Sequence, residues 1–330
     1  MNRRQFIGAL GLGLLASPPG ARAQPAGKLP RVCFLTLESG TAQSPSARFE
    51  VFFQSLRDLG YVPGKSITID YLSANGRTER FPALAAECVR LRPDVIVAST
   101  TPAAQAARGA TRTVPIVMLA LGDPVGTGLV ESLARPGGNV TGVSSMTTGL
   151  AAKRLQLLKE AVPAVSRVLV LAHLLDPIAP LQVKAMEEVA PSLGVTLLVH
   201  DVRTPEDLTA AFAMGVRERA NGLLTTSGSI FLVQRARVVE LAAHPRLPAM
   251  YPFSIFALES AGLMAYEIGT SDLHRHAAVY VDKILKGAKP SELAVQQPTT
   301  FQLVINRKVA RALGFTIPPS LLLLADRVVD

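Results

Sequence analysis

The chain has no tryptophan, two cysteines, and only twelve phenylalanines and five tyrosines in 330 residues. So few flat rings make a poor stacking platform for single-stranded nucleic acid. Charged residues are 18% of the chain and form no block of like sign, and 48% are hydrophobic. That is globular composition, not disordered composition. The 25 glycines and 24 prolines follow no collagen-like period. No stretch reaches 18 uninterrupted apolar residues, so no membrane span is predicted. Catalytic signatures are missing too: there is no G-x-S-x-G elbow, no G-x-x-x-x-G-K-[ST] loop and no H-E-x-x-H pair. The five histidines are scattered, and His274 and His276 fall two apart on a predicted helix, on different faces. No metal or cofactor is expected from these spacings.

The first 23 residues hold Arg3, Arg4 and Arg22 and no acidic residue. The arginine pair, the apolar run from Ala9 to Ala16, and Ala21-Arg22-Ala23 read as an export signal with its cleavage site. The pair followed by Gln5-Phe6-Ile7 resembles a twin-arginine signal; a general secretory route is the other option. Gly8, Gly11 and Gly13 belong to this signal, because no strand precedes them as a dinucleotide fingerprint requires. The expectation is a soluble periplasmic protein beginning near Gln24. Removing the three arginines lowers the formal charge from +9 to +6, a mildly basic surface that suits an anionic partner and argues little for DNA. Cys33 and Cys88 could pair in an exported protein. The reading favoured here is two small buried apolar residues, one on a strand and one on a helix.

From Val32 onward, short apolar runs alternate with amphipathic helices. Strands are expected at 32–37, 66–72, 95–98, 116–120 and 139–143, then at 167–172, 195–199, 222–225 and 248–251. Helices are expected between them, including 128–134 and 230–243. Continuous apolar strands alternating with helices mean parallel sheets covered on both faces. A weak repeat relates the halves: Asp94 before one strand and Asn221-Gly222 before the other, each followed by a Ser/Thr loop, a helix and a strand opened by proline. The fold class is therefore α/β, two doubly wound parallel-sheet lobes joined by a multi-strand hinge. Residues 28–145 with about 260–290 would form the N-terminal lobe, and 146–259 with about 291–330 the C-terminal lobe.

In open parallel sheets, ligands bind outside the carboxyl ends of the strands. There the sequence puts Ser99-Thr100-Thr101-Pro102, Leu121-Gly122-Asp123-Pro124 and, in the second half, Thr226-Ser227-Gly228-Ser229. Proline at the first helical turn with Ser or Thr before it leaves free N–H groups that cap a helix or bind an anion. Matched Ser/Thr segments in both halves strengthen the second use. Asp123-Pro124 is a turn signature, or a carboxylate for a ligand ammonium. Tyr251, Phe253, Tyr266 and Phe231 are apolar wall or core.

Several segments are similar to the substrate-binding proteins of ABC transporters, in the tryptophan/tyrosine-type family. They include Leu133-Ala134-Arg135-Pro136-Gly137-Gly138-Asn139, Gly122-Asp123-Pro124-Val125-Gly126, Lys153-Arg154-Leu155-Gln156 and Asp282-Lys283-Ile284-Leu285-Lys286-Gly287-Ala288. The likeness runs from about Pro30 to the C-terminus. It implies a type I periplasmic-binding-protein fold and a monomer that closes on a small ligand and presents it to an inner-membrane permease. It also implies a ligand shell of Ser99, Thr100, Thr101, Gly122, Asp123, Phe253 and Tyr266, to which the second-half loop adds Ser227. Relatives often read Ser-Tyr-Gly-Pro-Asn where this chain has Ala265-Tyr266-Glu267-Ile268-Gly269, a departure that bears on ligand identity. The reading adopted is a receptor for a small carboxylate, a hydrophobic or aromatic amino acid. An exported α/β hydrolase is the alternative. A regulator on the same fold would need a helix-turn-helix where the export signal stands.

Overall fold

The computed structural model describes residues 29–120, 122–297 and 300–330; the export-signal reading and Leu121 lie outside them. The first sheet holds β1 (Arg31–Thr36), β2 (Thr68–Ser73), β3 (Val95–Ala98), β4 (Ile116–Ala120) and β5 (Val140–Ser144). Its order is β2-β1-β3-β4-β5, and every pairing is parallel. The second holds β6 (Arg167–Ala172), β7 (Thr196–Asp201), β8 (Gly222–Thr225), β9 (Ala249–Tyr251), β10 (Met264–Ile268), β11 (Phe301–Asn306) and β12 (Arg327–Val329). Its order is β12-β11-β10-β9-β8-β6-β7, with one antiparallel pair, β10 with β11. Val95–Ala98 and Leu169–Ala172 are fully buried, as the unbroken apolar runs require when helices cover both faces.

The chain passes between the lobes three times. After β5 it enters helix Thr147–Ala161, which packs on the second sheet. After β10 it returns through helix Thr270–Leu285, which packs on the first. After Gln296, whose backbone exchanges hydrogen bonds with Gly142 and Ser144 of β5, it goes back to β11. The expected lobe limits shift accordingly. Residues 264–268 belong to the second sheet, because Met264 and Ala265 pair with Met250 and Tyr251. Residues 291–296 stay with the first, where Val295 N–H bonds the Leu133 carbonyl.

Three further expectations are corrected. Cys33 on β1 and Cys88 on helix Phe81–Arg90 form a disulfide, with Cα atoms 6.0 Å apart, so they are not free buried thiols. Residues 128–134 are turns rather than a helix: Gly128 has φ +69°, and Glu131 N–H bonds the Pro136 carbonyl. The helix expected over 230–243 is two, Ser229–Val233 and Arg235–Ala243, broken at Gln234.

A crevice between two carboxyl-terminal sheet edges

The carboxyl ends of the two parallel sheets face each other. A Cβ added to Gly122, just after β4, would overlap the side chain of Ile178, in the loop after β6. Between the lobes lies an open crevice of about 620 Å³. The first lobe lines it with Glu38, Ser39, Arg48 and Asn75, and the second with Phe253, Ile255, Leu258 and Glu267. Behind it, at the crossings, a small cavity of about 30 Å³ shares Arg48, Phe253 and Glu267 and adds Ser145, Arg154 and His274.

The hydroxyl loops reach these edges from both sides. Ser99, Thr100 and Thr101 are buried at the end of β3. Thr100 caps helix Thr101–Ala110, its hydroxyl oxygen accepting from Ala103 N at 3.2 Å. Ser99 Oγ and Thr101 Oγ1 have no hydrogen-bond partner within the protein. At the end of β8 the same holds for Thr225, Thr226 and Ser229. Buried hydroxyls are almost always partnered, which sets these two groups apart; none of these residues lines either cavity. Ser227 is different: its Oγ accepts from Gln182 Nε2 at 3.0 Å and from Arg154 Nη1 at 3.5 Å, and its N–H donates to Gln182 Oε1 at 2.8 Å.

The other expected residues divide. Gly122 is at the lobe contact, and its carbonyl accepts from Ser144 Oγ at 2.7 Å. Asp123 is half-buried; its Oδ1 accepts from Val125 N at 3.0 Å, the turn role of an Asp-Pro sequence, and it lines neither cavity. Phe253 lines both, with the Arg48 guanidinium 5.6 Å above its ring. Tyr266 stacks on Phe301. Side chains alternate along β10, so its neighbour Glu267 faces the crevice instead. Tyr251 and Phe231 are core residues, Tyr251 stacked on Phe256.

Reading the residues after strands reaches Glu38 and Glu267 but neither arginine of the site. Arg48 is in a 3-10 turn, Ala47–Phe49, and pairs with Glu38 at 3.0 Å. Arg154 is in the middle of helix Thr147–Ala161, only 2% exposed, donating from Nε to the Tyr266 carbonyl at 2.8 Å while Nη2 has no partner. Burial lowers its pKa to about 10, opposed by the charge of Glu267, so it stays a cation. Glu267 is 6% exposed and receives hydrogen bonds from Ser254; burial raises its pKa above the usual carboxylate range. Burial also pushes Asp176, after β6, up to about 6, and holds His274 neutral, with a pKa lowered to about 3. A helical pattern with arginine on its apolar face was the available signal for Arg154. Glu267 stands in the segment that departs from the relatives' Ser-Tyr-Gly-Pro-Asn, and nothing local marks Arg48.

Comparison with known proteins gives this geometry its place. The family model for ABC transporter substrate-binding proteins matches residues 43–329, and the chain belongs to that family. A tyrosine-binding protein of Clostridioides difficile is 27% identical over 262 residues, 79% of this chain and 75% of the relative. The crystal structure of a conserved domain protein from Vibrio cholerae superposes with a TM-score of 0.84 at 28% identity, covering 91% of this chain and all of that one. An ABC domain in complex with L-Trp from Streptococcus pneumonia superposes at 0.83 and 26% identity, covering 92% and 100%. The fold is that of type I periplasmic binding proteins: two α/β lobes around a ligand crevice.

Proposed function

We propose that this chain is an exported receptor for a small carboxylate with an apolar side chain, a hydrophobic or aromatic amino acid. It delivers that ligand unaltered to an inner-membrane permease. The carrying observation is the pair of unpartnered hydroxyl groups on opposed strand ends, Ser99 and Thr101 against Thr225, Thr226 and Ser229. The carboxylate sits at the N-terminus of helix Thr101–Ala110, where the dipole and the hydroxyls favour negative charge. Phe253 and the apolar side of the crevice, Leu232, Val233, Ile255 and Leu258, receive the side chain. Ser227, fixed by Gln182 and Arg154, shapes the floor of the second lobe. Gly122 lets the lobes close, and Tyr266 supports β10 from its other face. The tyrosine-binding relative and the L-Trp complex support the amino-acid class. Closure is by hinge movement about the three crossings.

The export-like first 23 residues and the family support a periplasmic monomer, and no helix among the described residues is long and apolar enough to cross a membrane. The test is mass spectrometry of small molecules released by denaturing the purified protein, followed by calorimetry against an amino-acid panel. Amino acids among the released molecules, binding one to one, are the expected result. Turnover of the bound compound would favour the hydrolase alternative.

A further inference from the structure

An ammonium group in a closed crevice needs a carboxylate that is buried there and not already paired. Five carboxylates stand at or near the crevice. Glu38 is paired with Arg48, and Glu259 is paired with Arg235 at 3.5 Å. Asp123 is turned to Val125 N–H, and Asp176 to Ile178 N–H at 3.2 Å; neither lines a cavity. Glu267 lines both cavities, is 6% exposed, and has no ion pair among the described residues. Ser254 donates to it, and Arg48 and Arg154 act on it only from longer range. Arg48 is engaged with Glu38, and Arg154 through Nε with the Tyr266 carbonyl and through Nη1 with Ser227, its Nη2 remaining without a partner.

The charges of the site balance: Arg48 and Arg154 against Glu38 and Glu267. A zwitterion keeps that balance on closure, whereas a bare carboxylate leaves one negative charge in excess. Burial without an ion-pair partner is also what raises the Glu267 carboxyl.

We propose that Glu267 determines the specificity of the crevice by taking the ammonium group of an amino acid whose side chain lies against Phe253. This rests on the receptor reading above. Calorimetry would compare each acid with its des-amino analogue: L-phenylalanine with 3-phenylpropionate, L-tyrosine with 3-(4-hydroxyphenyl)propionate, L-leucine with 4-methylpentanoate. The wild-type chain should prefer the amino acid. Glu267→Gln should weaken the amino acid by about 10- to 100-fold, the effect of removing one charged hydrogen-bond partner. The analogue should change by no more than about threefold, on the same scale. Asp123→Asn should preserve the preference. If Glu267→Gln affects both compounds alike or neither, the assignment is overturned while the receptor reading stands. A preference lost in Asp123→Asn instead moves the ammonium to that residue. Failure of the wild type to bind any of the three amino acids overturns both readings.

Discussion

The first lobe stacks rings inside a disulfide-linked sheet. Phe34 is within 5.5 Å, centroid to centroid, of Phe49, Phe52, Phe53 and Tyr71, and Cys33 ties β1 to the helix on its other face. The second lobe has more strands and no cross-link among the described residues, and near the crevice it buries a hydrogen-bonded group of polar side chains, Gln182, Ser227, His173 and Asp176. Both carry unpartnered buried hydroxyls at the carboxyl ends of their strands. The difference separates two sources of order. Rings and a cross-link, neither of which titrates near neutral pH, hold the first edge. In the second, hydrogen bonds fix the floor, so its geometry depends on every partner being present.

Replacing both Cys33 and Cys88 by Ser is the largest test. The linked residues are 55 apart in sequence, and the loss should be about 2–4 kcal/mol. Hydrogen exchange should show the loss in β1, β2 and β3 with little change in β6 to β9. Equal loss in both lobes would mean that they unfold as one unit and that the contrast has no energetic content.

The next test is pH. The Asp176 carboxyl is raised by burial from its ordinary 3.8 to about 6, so the folded state favours its neutral form. Stability that is present below 3.8 is therefore lost as pH rises through 6. Asp176→Asn should remove that slope and stabilise the protein at pH 7 by about 3 kcal/mol. His274, on the helix packed against the first sheet, works oppositely. It is held neutral, so stability present above 6.5 is lost as pH falls toward 3. Melting curves from pH 4 to 8 on wild type, Asp176→Asn and His274→Gln separate the two slopes; identical curves would remove both attributions.

Ser227→Ala should cost about 1–3 kcal/mol, because Gln182 Nε2 and Arg154 Nη1 lose their acceptor. Ser99→Ala and Thr101→Ala should leave the melting temperature of the ligand-free chain nearly unchanged, since neither hydroxyl has a partner to lose. They should weaken ligand binding by about 10- to 100-fold, one hydrogen bond to the ligand carboxylate each. The smallest expected effect on stability is that of Gly122→Val. Its side chain would meet Ile178 of the other lobe, a contact between lobes and not within one, so affinity falls while both lobes keep their folds. A matching drop in stability would show the contact to be part of folding rather than of closure.

The strand positions were legible because β3, β4, β6 and β8 are buried on both faces and so are written as unbroken apolar runs. The Ser/Thr loops were legible because ligands meet parallel sheets at their carboxyl ends, where Pro102 also announces a capped helix. The turns over 128–134 were misread because spaced Leu and Val residues mimic a helical pattern; the glycines decide the backbone. The return to the first lobe was set too early because β10 reads like any short apolar strand. Its antiparallel partner β11 lies more than 30 residues further on. The disulfide was missed because a buried cysteine looks the same in sequence whether free or paired.

The sequence by itself determined the alternation of strand and helix, the two-lobed class, and the hydroxyl-bearing loops, because periodicity and capping act over a few residues. Tertiary structure decided which charges enter the crevice. Arg48 from a 3-10 turn, Arg154 from a helix interior and Glu267 from the strand beside a crossing lie up to about 220 positions apart. They meet because two sheets turn their carboxyl edges toward each other. Strand alternation then gives the crevice Glu267 and turns Tyr266 to Phe301, a choice made by register and not by residue type.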